Sequence, residues 1–235
     1  MDMAIGTPSL SFPAVLDTGS DLIWTQCKPC EHCFNQSTSI FDPSTSSTYK
    51  MLPCTADLCK ALPSFKCGVS NSSCQYRYAY TDRTSSAGKL SSETFTLGST
   101  KFDNIAFGCG NNNTDGQHEV SGVAGLGRGS LSLISQLGFK KFSYCFVSLD
   151  KEKKSPMHHL MNYQNLFCTL TERISTFRMV LILFFIQIRT GLLCLTVMPS
   201  SGVVSILGNY LQYFFIICDI GENKLSFTPT QCDKL

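Results

Sequence analysis

The chain reads as a mostly β protein, and three features carry that reading. Residues 1–148 are built of short runs rich in Phe, Tyr, Ile, Val and Thr, each bounded by Gly, Pro, Asn or Ser. Within them an apolar run, Phe12-Pro13-Ala14-Val15-Leu16, meets a second, Leu22-Ile23-Trp24, across Asp17-Thr18-Gly19-Ser20, which is the pattern of strand, tight turn, strand. One helix stands out in that region, Ser130 to Gly138. There Leu131, Ile134 and Leu137 share a face, Ser130 is the expected N-cap and Gly138 the expected stop.

In chain order, the first element of chemical interest is the Asp17 turn. A carboxylate at a tight turn between apolar strands suits hydrolysis by two aspartates that share one proton. Two close carboxylates do not both ionise readily, so one acts as base toward water while the other, protonated, supports the carbonyl. Asp-Thr-Gly occurs once; none of Asp21, Asp42, Asp57, Asp82, Asp103, Asp115, Asp150, Asp219 or Asp233 is followed by Thr-Gly or Ser-Gly.

Cys27-x2-Cys30-x2-Cys33, with His32 inside it, comes next. It has the look of a zinc cluster, but no second Cys/His pair follows at finger spacing, and no metal is expected. Thirteen cysteines in 235 residues suit disulfides in an oxidising compartment. Three sequons, at Asn35, Asn71 and Asn112, point the same way toward export and glycosylation. Gly125-Leu126-Gly127-Arg128-Gly129 lacks the Lys-Ser/Thr ending of a phosphate loop and is read as close backbone packing ahead of the helix.

A net charge of +2 gives no reason to expect a nucleic-acid partner, and 43% hydrophobic content is enough for a core. Residues 149–191 break the pattern. Lys151-Glu152-Lys153-Lys154 is a charged run, and Met179 to Ile186 is strongly apolar but far shorter than the about 20 residues a membrane span needs. No stable membrane span is expected. Met1 stands almost on the first strand, and no signal peptide is read within the chain.

Taken together, Ala4-Ile5-Gly6-Thr7-Pro8, the stretch Asp17 to Trp24, the Cys27–Cys33 cluster, Phe41-Asp42-Pro43-Ser44-Thr45-Ser46-Ser47-Thr48-Tyr49, Phe107-Gly108-Cys109-Gly110 and Lys141-Phe142-Ser143-Tyr144-Cys145 resemble the pepsin-like aspartic proteases, peptidase family A1, in their cysteine-rich plant, nepenthesin-type branch. The resemblance runs almost unbroken over residues 1–148. It returns from Cys194 to the end, through Ile206-Leu207-Gly208-Asn209 and Phe227-Thr228-Pro229-Thr230-Gln231-Cys232. It implies a pepsin-like acid protease fold: a complete first lobe at 1–148, an unmatched segment at 149–191 that reads as translated intron or frameshift, and a second-lobe remnant at 192–235.

The same resemblance implies the site. Asp17 is the first catalytic aspartate, with Thr18, Gly19 and Ser20 forming its loop; Tyr80 is the flap tyrosine, and Trp24 packs behind it. The flap departs from the family pattern, since Tyr-Gly-Asp-Gly-Ser is here Tyr80-Thr81-Asp82-Arg83-Thr84. Implied disulfides are Cys27–Cys30, Cys33–Cys109, Cys54–Cys74, Cys59–Cys67 and Cys145–Cys232, leaving Cys168, Cys194 and Cys218 over. The implied activity is aspartic endopeptidase at acid pH, on peptide or protein substrates, without a cofactor, in a secreted, extracellular or vacuolar setting. With one catalytic Asp of two, the chain is expected to be inactive alone. The alternatives are a protease assembled from two chains, self-association being left open, or a non-catalytic peptide-binding decoy.

Overall fold

The computed structural model describes residues 1–114, 120–145, 185–187, 193–195, 215–228 and 232. The chain divides into two compact units, Met1–Lys141 and Phe142–Leu235.

The first unit is a nine-stranded sheet. β1 (Asp2–Ile5) and β2 (Leu10–Asp17) form a hairpin, turned at Gly6, whose φ of +93° is left-handed backbone that suits glycine. β3 (Trp24–Gln26) follows the Asp17 turn. β4 (Lys50–Met51), α1 (Asp57–Lys60) and β5 (Phe65–Cys67) lead to β6 (Cys74–Ala79). The long strands β7 (Ser85–Leu97) and β8 (Thr100–Asn113) come next, then β9 (Gly122–Gly125) and the short helix α2 (Leu133–Gln136).

The sheet order is β1-β2-β9-β3-β8-β7-β6-β5, with β4 on β7. β1 also pairs with β7, Ala4 opposite Thr96 and Ile5 opposite Phe95, so six of the strands follow one another in a closed ring. Closure removes exposed strand edges. Two pairings are parallel, β2 with β9 and β3 with β8, and both join segments about a hundred residues apart. Alternation along the strands turns Ile5, Phe12, Phe95 and Phe107 inward. Phe107 packs edge-on against Phe41, Tyr49 and Phe95. A further cluster of Leu22, Trp24, Leu62, Tyr76, Leu90 and Leu131 with Cys54, Cys59 and Cys74 backs the Asp17 turn.

The helix is shorter than the sequence pattern suggests. Ser132, not Ser130, is its N-cap: the Ser132 hydroxyl accepts from Ser135 N–H, and the first helical residue is Leu133. Gly138 does end it, at φ +71°.

In the second unit, β10 (Lys141–Cys145), which begins on the last residue of the first, precedes a two-stranded ribbon of β11 (Phe185–Gln187) and β12 (Leu193–Leu195). A hairpin of β13 (Phe215–Asp219) and β14 (Lys224–Thr228) lies beside β10 in the order β10-β13-β14. Cys145 and Cys232 are bridged. Asp219 closes β13, and its carboxylate accepts from Glu222 N–H at 2.9 Å across the hairpin turn. Most of the 149–191 segment, with Cys168, the Cys194 side chain and Ile206-Leu207-Gly208, lies outside the described residues.

Candidate active site

Asp17 is the last residue of β2, set opposite Gly125 in the parallel pairing with β9. Its main-chain carbonyl accepts from Leu126 N–H at 2.8 Å, which fixes where the strand stops. Its carboxylate is held from within the turn. Oδ1 accepts from Gly19 N–H at 2.9 Å, and Oδ2 accepts a short bond from the Ser20 hydroxyl. Ser20 is buried, whereas Thr18 and Gly19 are exposed, so the hydroxyl on the carboxylate is that of Ser20 and not Thr18. A Cβ on Gly19 would stand 3.2 Å from Asp17 Oδ1; its absence leaves one side of the carboxylate open.

The glycine-rich segment after β9 lies against this turn. Gly127 N–H donates to Ser20 O at 2.8 Å, and Gly129 N–H to Asp21 Oδ1 at 2.7 Å. A Cβ on Gly127 would come 2.3 Å from Asp21 Oδ1, and one on Gly129 2.4 Å from Oδ2. Close backbone packing was the expectation for this segment; the surface it packs on is the Asp17 turn.

Above the turn stands the hairpin of β6 and β7. Tyr80 Oη accepts from Trp24 Nε1 at 2.7 Å, so the expected flap tyrosine and the expected packing tryptophan are joined directly. Burial pushes the Tyr80 hydroxyl well above its ordinary value, against the opposing effect of the Trp24 bond. Tyr78 packs at 5.3 Å from Tyr80, and its hydroxyl accepts from Asp21 N–H at 3.3 Å. Burial raises Tyr78 as well. Both tyrosines lie within electrostatic reach of Asp17.

At the hairpin tip, Tyr80 N–H donates to Thr84 O at 2.9 Å and Arg83 N–H to Tyr80 O at 3.1 Å. Asp82 Oδ1 accepts from the Thr84 hydroxyl and amide, at 2.7 and 2.9 Å, which holds its carboxyl below the usual range. Arg83 adopts φ +73°.

The sequence reading gave no role to Asp21 or Tyr78 and did not say what Gly127 and Gly129 pack on. The only local trace of them was the acid directly after Ser20 and the Gly-x-Gly-x-Gly spacing.

The ten implied disulfide cysteines are all bridged, but four pairings differ from those the resemblance implied. They are Cys27–Cys109, Cys30–Cys33, Cys54–Cys67 and Cys59–Cys74. The causes lie in the sheet. Parallel pairing sets Thr25 opposite Cys109, and Cys27 N–H donates to Gly110 O at 2.8 Å, which brings Cys27 beside Cys109. Cys67 and Cys74 are opposite each other on β5 and β6, and Cys54 and Cys59 each take one of them. Cys27, Cys30 and Cys33 are thus bridged rather than free for a metal, and no group of three metal-binding side chains occurs among the described residues. Cys218 is a free thiol on β13. Asn35 and Asn112 are exposed; the Asn71 side chain lies outside the described residues.

A family model described as "Xylanase inhibitor N-terminal" matches residues 1–158. The chain belongs to the plant pepsin-like aspartic proteases of the nepenthesin type. It is 52% identical over 156 residues to aspartic proteinase nepenthesin-1 of Nepenthes gracilis, a match covering 66% of this chain and 35% of that protein. With nepenthesin-2 of the same plant the identity is 49%, over 67% of this chain and 36% of the relative. With aspartyl protease 37 of Oryza sativa subsp. japonica it is 46%, over 61% and 32%. The match spans about a third of the length of these relatives, and the residues matched by the family model include the whole unit that holds Asp17. No helix among the described residues is long and apolar enough to cross a membrane.

Proposed function

We propose that this chain provides the Asp17 half of an acid endopeptidase site, binds peptide between the 17–20 turn and the Tyr80 flap, and does not turn over substrate by itself. The observation that carries the reading is a carboxylate held by an amide and a hydroxyl of its own turn, beneath a tyrosine hydrogen-bonded to tryptophan. Such a site can orient a water and a peptide carbonyl. Cleavage needs a second carboxyl to carry the shared proton, and these 235 residues contain one Asp-Thr-Gly.

The substrate is a peptide or protein. Disulfides and the exposed sequons Asn35 and Asn112 support a secreted or vacuolar setting and glycosylation. The test is cleavage of a denatured protein at acid pH, with and without an aspartic-protease inhibitor. The expected result is no inhibitor-sensitive turnover. Turnover that disappears in Asp17→Asn would instead establish a site made from two copies, each contributing Asp17.

A further inference from the structure

Arg83 lies in the turn that joins β6 to β7, exposed and in left-handed backbone. A non-glycine residue is strained there, and strain of this kind gathers at functional loops. Its neighbour Asp82 is turned back onto Thr84 and spends one oxygen on two donors. Arg83 has no such engagement. The two ion pairs among the described residues, Lys28–Asp42 and Lys60–Asp57, leave it out, and no side-chain hydrogen bond of Arg83 accompanies them. Tyr80, three residues away, is anchored to Trp24 over the Asp17 turn, so the cation is carried by the same hairpin that covers the site.

We propose that Arg83 is a specificity-determining residue that favours peptides with a carboxylate side chain beside the bond held over Asp17. The proposal rests on the peptide-binding reading above. The ionisable groups of its hairpin are Asp82 beside it, Tyr78 and Tyr80, and Arg77 and Lys89 further down β6 and β7; Tyr78 and Tyr80 in turn lie within reach of Asp17 and Asp21. Arg83 stays charged at any working pH. A substrate glutamate ionises near about 4.3. The preference is therefore absent when the glutamate is protonated and appears as pH rises through that value.

The only tryptophan of the chain reports binding, because Trp24 is bonded to the flap tyrosine. Full-length protein is titrated with two tryptophan-free hexapeptides containing a hydroxyethylene isostere, identical except for Glu or Gln next to the isostere. At pH 5.5 the Glu peptide is expected to bind about two- to fivefold more tightly, the range of an exposed ion pair, and at pH 3 equally. Arg83→Gln should erase the difference and Arg83→Lys should keep it, circular dichroism showing both variants folded. Equal binding at pH 5.5 in the parent chain, or a preference that survives in Arg83→Gln, overturns the proposal while leaving the peptide-binding reading intact. If neither peptide binds the parent chain, the peptide-binding reading falls, and the proposal with it.

Discussion

Two tyrosines of the first unit hold hydroxyls where ionisation is hard. Tyr76 is fully enclosed, its hydroxyl bonded to Ser86 Oγ at 2.7 Å, and burial drives it far above the ordinary value. Tyr80 is raised for the same reason. The sign follows from linkage. Each group stays protonated in the folded chain at a pH where it ionises in the unfolded chain. Its contribution to stability is therefore whole below about pH 10 and is lost as pH climbs from there toward the raised folded value. Near-ultraviolet titration should show a delayed class of tyrosines that ionises only with alkaline unfolding, and Tyr80→Phe should remove one member. At this scale the Asp17-Thr18-Gly19-Ser20 turn was legible because its bonds are local. Asp21 was not, because what gives it a role is an amide 108 residues away. Disulfide partners were not either. Cys67 and Cys74 stand opposite each other on β5 and β6, and spacing alone does not tell which of them Cys54 and Cys59 each take.

Among the elements, β3 and β9 meet closely. Thr25 stands opposite Gly122, and a Cβ there would be 2.0 Å from Trp24 O and 2.9 Å from Thr25 Cα. Both obstacles are backbone, so neither can rotate away. Gly122→Ala is expected to cost about 1–3 kcal/mol in urea unfolding. It should also weaken the Trp24–Tyr80 bond, seen as a change in tryptophan emission. The α2 helix shows where element-level reading stops. Ser130-Leu131-Ser132-Leu133 offers two serines in equivalent settings. The choice of Ser132 accompanies a tertiary contact, Gln136 exchanging two hydrogen bonds with the main chain of Ala106. The stop at Gly138 needed no such knowledge, since left-handed backbone at a helix end selects glycine by itself.

On the scale of the molecule, the eight cysteines from Cys27 to Cys109 bridge among themselves, and Cys145 bridges to Cys232 within the second unit. A lobe of this size has a limited core, and each bridge typically contributes about 2–4 kcal/mol. Peptide mapping without reduction should find no link from the Cys27–Cys109 set to any cysteine outside it. Mild reduction should lower the melting temperature of the first unit sharply. A link from Cys33 or Cys54 to Cys145, Cys218 or Cys232 would contradict this division. The mostly β class was legible from alternation and turn residues. The closed ring of strands was not, since it depends on β1 meeting β7 and on two parallel pairings that no short window contains.

The Asp17 turn is held by the segment from Leu126 to Gly129, through bonds to Asp17, Ser20 and Asp21. On the ribosome these partners are made far apart in time. At about 5–20 residues per second, the 108 residues between Asp21 and Gly129 take about 5–20 s to synthesise. During that interval the nascent chain carries Asp17 without the loop that orients it. Chaperones and oxidoreductases meeting the early chain therefore meet an unformed site, and a stop codon anywhere before Gly129 would release a product with the aspartate but without its lock.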